Sequence, residues 1–255
     1  MRWIMALYLS YLAAPVVLLV IGSFGESWTN TLLPTGVTDR WYLEIWADGS
    51  FRRAFSTSLI VCLATCIVSV LIAVPFAYSI HSAASRQVRV AVRILYLLPV
   101  AAPPLVLGFG FILVFSSDSL PFLGASWLLV AGHVVLVLPY LMQVLVADMR
   151  HLDLDTLEAA AESLGAGFAA RFFHIVLPSL LHSLVSGTIL VATLSIGEFQ
   201  LSNLIAGFLT RTYPVVLLQA FYGATGFACA GTVVLLALAI LGATASAIAG
   251  RGAAA

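Results

Sequence analysis

Long apolar runs separated by short polar gaps extend along the whole chain, and six are long enough to cross a bilayer: residues 3–22, 54–80, 94–115, 126–147, 182–206 and 227–249. A helix crossing a hydrocarbon core about 30 Å thick needs about 20 mostly apolar residues. The pattern predicts an all-α integral membrane protein with six transmembrane helices. The first run follows Met1 and Arg2 as a secretory leader would, but it is long for a leader's apolar stretch and has no A-x-A signature before Glu26. It reads as a retained first span.

Short cytoplasmic loops are enriched in basic residues, so arginine placement sets the orientation. With the N-terminus inside, the inner segments hold Arg2, Arg86, Arg89, Arg93, Arg150, Arg171 and Arg251, against Arg40, Arg52, Arg53 and Arg211 outside. Both termini are then cytoplasmic. The outer segment also carries Trp28, Trp41, Tyr42 and Trp46, which suits an aromatic interfacial belt. The chain divides into a first span with an extracytoplasmic segment, 1–50, and a core, 51–250. Pro15, Pro75 and Pro139 interrupt apolar runs and Pro99, Pro103 and Pro104 cluster in the third. Each removes an amide donor, leaving carbonyls to be satisfied by neighbouring protein or by a watery cavity.

Composition sharpens the picture. The 255 residues are 62% hydrophobic and 9% charged, with mean hydropathy +1.10. Eleven basic residues balance eleven acids. All the basic ones are arginine, which excludes a P-loop and a Schiff-base lysine, and neutrality argues against a nucleic-acid binder. Cys62, Cys66 and Cys229 sit in apolar runs without further metal ligands nearby and read as small buried packing residues. No metal site and no catalytic constellation are expected.

The one sizeable inner loop, 148–181, carries helical signals. Asp155 can cap, Glu158 follows three later as in a capping box, and Gly165 offers a left-handed stop. Leu157, Ala160, Ala161 and Leu164 form an apolar stripe on a helix too short to be stable alone in water. A second short stretch brings Phe168, Phe172 and Ile175 to one side before Leu177 and Pro178. Two apolar faces at an elbow suit a partner's groove.

These residues carry a resemblance. Ala160 and Ala161, Gly165, and Ile175, Leu177 and Pro178 fall at the spacing of the EAA loop of permease subunits in binding-protein-dependent ATP-binding cassette importers. The departure is Ala159 where the family has glutamate, the acid standing one residue earlier at Glu158, a rotation of about 100° around a helix. The resemblance implies the type I importer (MetI-like) permease fold in the bacterial inner membrane. It implies coupling to an ATPase through Leu157, Glu158, Ala160, Ala161, Leu164, Gly165, Phe168, Ile175, Leu177 and Pro178. An ATPase dimer holding ATP and Mg, a second permease subunit, expected to be a different chain, and an extracytoplasmic solute-binding protein are the implied partners, with no cofactor in this chain and no enzymatic activity of its own. Residues 36–42, Leu98 to Gly108, and Ile196, Gly197, Glu198 and Phe199 are similar to the branch importing polyamines, ferric iron, thiamine and aminoethylphosphonate.

Glu198 is the one acid deep in a span, where an ionisable group costs at least about 2.5 kcal/mol unless paired or hydrated. Thr188, Ser195, Glu198 and Ser202 fall on one side of a continuous fifth helix, which would line the translocation pathway; the alternative is an interhelical fastener. His133 reads as an interhelical hydrogen-bonding group. A carboxylate in the pathway favours a cation, so spermidine or putrescine is the first substrate expectation, with aminoethylphosphonate, ferric iron or thiamine as alternatives. A secondary transporter or an intramembrane enzyme are the rival classes, which would show inverted repeats or paired catalytic groups.

Overall fold

The structure, a computed structural model, describes the backbone of residues 2–28, 31–83 and 85–251 and side chains as far as 245, so the side chain of Arg251 lies outside the described residues. Among the described residues its regular structure is helical, with isolated bridges at Ser27–Thr35 and Gly124–Ala206 in place of strands. Four helices are long and apolar enough to cross a membrane unbroken, and two bent helix pairs raise the number to six.

The unbroken helices are α1 (Arg2–Ser23), α3 (Gly49–His81), α6 (Ser126–His151) and α13 (Thr225–Arg251). The helix α3 begins where Asp48 Oδ1 accepts the amides of Ser50 and Phe51 at 2.7 and 3.0 Å, satisfying two of the donors a helix start leaves open. Its 33 residues reach about 50 Å, well past the hydrocarbon core. The central strut is α6, whose Leu128, Leu129, Leu141, Met142, Leu145 and Met149 are wholly buried. By contrast α1 exposes nearly every side chain and meets the bundle at its end, where Gly22 abuts Trp28 and Cys229.

The other two spans depart from the expected straight helices. The third breaks between α4 (Arg86–Ala101) and α5 (Pro104–Phe115), which meet at 96°. Pro103 and Pro104 supply no amide donors, and the residue before each is driven to extended backbone, as the ψ values of 129° at Ala102 and 139° at Pro103 record. The fifth is bent by 63° where Phe168–Ser179 meets α10 (Leu181–Ile196), and it stops at Gly197 before the short α11 (Gln200–Ile205). A continuous helix over 182–206 is therefore not formed. Two helices had no counterpart in the hydrophobic pattern: α2 (Arg40–Ala47) and α12 (Tyr213–Phe221), which opens with Pro214 in its first turn.

Helix α2 also changes the aromatic-belt expectation. Trp46 is exposed, but Trp41 is buried and donates its indole N–H to the Gly25 carbonyl at 2.7 Å, packing with Phe51, Tyr213 and Leu217 in an aromatic core. A larger core joins α3, α6 and α10 and takes in Leu154, Val176 and Leu180 from the 148–181 loop. A small one gathers Val61, Leu129, Leu201 and Ile205. Helices approach closely where a side chain is missing: a Cβ on Gly187 of α10 would sit 2.7 Å from Leu141, and one on Gly132 of α6 would sit 2.7 Å from Leu201. The cysteines are free and buried, with the Cys62 and Cys66 thiols at 3.6 and 3.8 Å from the Ala192 and Thr188 carbonyls of α10.

Candidate functional site

The loop between α6 and α10 folds as an elbow. Its first arm is α7 (Leu154–Ser163), preceded by Asp153 in left-handed backbone at φ 47°. Asp153, not Asp155, precedes the helix, and its carboxylate accepts from the Thr156 hydroxyl at 2.9 Å. Asp155 lies in the first turn, 3.1 Å from His81 Nε2 at the end of α3. Gly165, at φ 85°, ends the arm, a conformation that would strain any residue with a Cβ.

The expected capping box does not form, because Asp155 lies inside the helix and not at its cap, which puts Glu158 out of register; Glu158 instead accepts a hydrogen bond from the Tyr78 hydroxyl of α3 at 2.7 Å. The same tyrosine ring meets Phe168 and Phe172, at centroid distances of 6.0 and 5.4 Å. Glu162 pairs with Arg171 of α8 (Phe168–Arg171), closing the elbow on itself. Leu154 is wholly buried in the core beneath. One side of α7 is thus tied down. On the other, Leu157, Ala160 and Leu164 are exposed, Leu164 to 88%, while Ala161 is half-buried. Phe168 continues this exposed apolar surface. The residues from Ile175 to Pro178 make no second free face: they lie in a π-helical turn, Phe172–Val176, and the short α9 (Leu177–Ser179), where Val176 is buried and Phe172 and Leu177 pack against the core. Tyr78 escaped the sequence reading. Its signal was an aromatic hydroxyl near the polar end of an apolar run, facing a loop with an acid out of its expected place.

The second constellation lies at the break of the fifth span. Ser195, Glu198 and Ser202 converge on His133 of α6, whereas Thr188 stands apart, its hydroxyl donating to the Leu184 carbonyl at 2.7 Å. Glu198 accepts the Leu201 and Ser202 amides at 2.7 and 2.9 Å and the Ser202 hydroxyl at 2.6 Å. Because Ser202 gives its only proton to Glu198, its oxygen accepts from His133 Nε2–H at 2.8 Å. With Nε2 protonated, the neutral imidazole presents Nδ1 as acceptor to the Ser195 hydroxyl, also 2.8 Å away. The carboxylate thus starts α11 and anchors both sides of the break to α6. Ser195, Ser202 and His133 are buried and the Glu198 side chain is 10% exposed, so this face looks into the protomer. Among the described residues no three His, Cys, Asp or Glu side chains converge as a metal site.

Broken apolar spans about a central helix, with an amphipathic elbow at one end of the bundle, define a multi-pass helical membrane protein with an exposed apolar surface at that end. The chain belongs to the family of binding-protein-dependent transport system inner membrane components, whose profile matches residues 69–252. It is accordingly a multi-pass inner-membrane permease subunit of an ATP-binding cassette importer. The chain is 26% identical to a candidate 2-aminoethylphosphonate transport system permease protein, PhnV, of Salmonella paratyphi A, over 92% of this chain and 88% of the relative. It is 28% identical to a homologue of the spermidine/putrescine permease PotC from Mycoplasma pneumoniae, over 94% of this chain and 85% of the relative. A bacterial ATP-binding cassette transporter that imports alginate has the same fold, with TM-score 0.74 and 15% identity over 97% of this chain and 92% of its own.

Proposed function

We propose that this chain forms half of the translocation pathway of its importer and receives the ATPase stroke on the outer face of α7. The supporting observation is the asymmetry of that helix: Glu158 and Leu154 hold one side to the bundle, while Leu157, Ala160 and Leu164 leave an apolar surface uncovered. Such a face gains by entering a partner's groove. ATP and Mg belong to the partner ATPase, a second permease completes the pathway, and a solute-binding protein delivers cargo. Coupling residues are Leu157, Ala160, Ala161, Leu164, Gly165 and Phe168 at the surface, supported by Glu158, Ile175, Leu177 and Pro178.

In this reading Ser195, Glu198 and Ser202 form the wall behind the passage, keeping the span broken so that the backbone at Gly197 borders it, with Thr188 further along the same span. The polyamine expectation no longer rests on a free carboxylate. It is supported by relatives named for spermidine/putrescine and putrescine, and 2-aminoethylphosphonate, named for another relative, shares a primary amine. A small alkylammonium solute is therefore the substrate class, a polyamine first. Cross-linking tests the coupling surface: Leu164→Cys should trap the ATPase subunit in the assembled importer, and labelling of Leu164→Cys by a water-soluble reagent unaffected by that subunit would remove it. Uptake of labelled putrescine, with 2-aminoethylphosphonate as competitor, tests the substrate; transport of neither excludes the class.

A further inference from the structure

Helix α4 combines three features that the transport reading does not use. At about 100° per residue, Arg86, Arg89 and Arg93 fall within about 60° of one another. Tyr96 and Val92, on one flank of this arginine face, turn toward the core. Ile94, Leu98, Leu95 and Val88, round the other flank, are 52–64% exposed apolar side chains. The arginines thus occupy the first turns of the helix, between a flank packed on the protein, which Leu97 extends beneath them at the far end, and an apolar sector that nothing among the described residues covers. Arg150, at the end of α6, joins the three arginines around an open groove of about 550 Å³, with Val90 on its wall. Among the described residues none of these four guanidinium groups makes an ion pair or a side-chain hydrogen bond. The adjoining recess brings Asp153 and Asp155 near Arg89 and Arg150 without closing such a pair.

We infer that this groove binds the headgroup of an anionic phospholipid, its phosphodiester held by the guanidinium forks of α4 and Arg150 and its acyl chains lying along Ile94, Leu95 and Leu98. Guanidinium presents paired donors that match phosphate oxygens. Basic pockets between helices at the cytoplasmic side suit anionic headgroups. An acidic surface of a partner protein would satisfy the charge but would leave the flanking apolar sector without an occupant.

The test is native mass spectrometry of the full chain, purified in detergent and offered equal amounts of phosphatidylglycerol and phosphatidylcholine. The wild type should retain phosphatidylglycerol selectively, and the triple Arg86→Gln, Arg89→Gln, Arg93→Gln variant should lose that selectivity by about fivefold per arginine until the two lipids are equal. A charge-conserving triple, Arg86→Lys, Arg89→Lys, Arg93→Lys, keeps the topology signal and removes the forks; it should still lose several-fold, and it decides the matter if the glutamine variant does not accumulate. Undiminished selectivity in the lysine triple would overturn a built site in favour of diffuse charge. Displacement of the lipid by inorganic phosphate as readily as by phosphatidylglycerol would assign the groove to free phosphate and overturn the lipid. Lipid selectivity intact in the glutamine triple, with its co-purification of the ATPase lost from the assembled importer, would give the groove to the protein partner.

Discussion

Glu158 and Glu198 do the same mechanical task in opposite surroundings. Each carboxylate ties a short helix to a long span: Glu158 holds α7 to α3 through Tyr78, and Glu198 holds α11 to α6 through Ser202 and His133. At Glu198 the hydrogen bonds close on one another, which removes the penalty of polar groups in hydrocarbon and leaves nothing for a partner. At Glu158 the tether secures one side of its helix only, and the free side is apolar. A buried, self-satisfied network fixes a shape, while a one-sided tether at the surface presents one. Under the proposed function the region of Glu198 is the fastener and the region of Glu158 the coupling surface.

The largest separation should come from removing the two acids. Glu198→Ala leaves two amides and a hydroxyl without their acceptor in a buried site and should lower stability by about 3 kcal/mol or more. Glu158→Ala should lower it by about 1 kcal/mol or less, since water can reach the loop. Thermal unfolding of the two variants in one detergent checks the contrast; equal losses would erase it. Next is Leu154→Ala, which empties a wholly buried site and should cost about 2 to 4 kcal/mol, seen as protease sensitivity in 148–167 while the spans stay protected. His133→Leu should cost about 2 kcal/mol by leaving the Ser195 hydroxyl without its acceptor and the Ser202 oxygen without the imidazole donor, with His133→Gln recovering part of it. Smallest is Tyr78→Phe: loss of one hydrogen bond should speed amide exchange across α7 about fivefold and leave α11 unchanged.

The contrast also explains what could be read from sequence. Period and length alone located the four unbroken spans, since burying apolar side chains in lipid needs no particular partner. The elbow was legible because Gly165 requires a positive φ and because Leu157, Ala160 and Leu164 recur at helical spacing. The break at Gly197 was not, because it depends on Glu198 starting a new helix against His133, 65 positions earlier in the chain. Hydropathy read 182–206 as one span, as apolar residues continue across the break. Pro103 and Pro104 announced an interruption, but the 96° angle comes from packing around them. The tether of Glu158 was hidden for a similar reason: a capping box is a local rule, the helix starts two residues before Asp155 can cap it, and the partner that Glu158 takes is a tyrosine 80 residues away.

The most direct test of the coupling surface is Ala160→Glu in the complete importer reconstituted with its ATPase and binding protein. Ala160 is exposed on the free side of α7, so the substitution leaves the fold and both tethers intact while placing a charge where an apolar surface must be desolvated. ATP hydrolysis should no longer rise when substrate-loaded binding protein is added, with the assembled protein present at wild-type level in the membrane. Stimulation at the wild-type rate in that variant would contradict the assignment of α7 as the surface that receives the stroke.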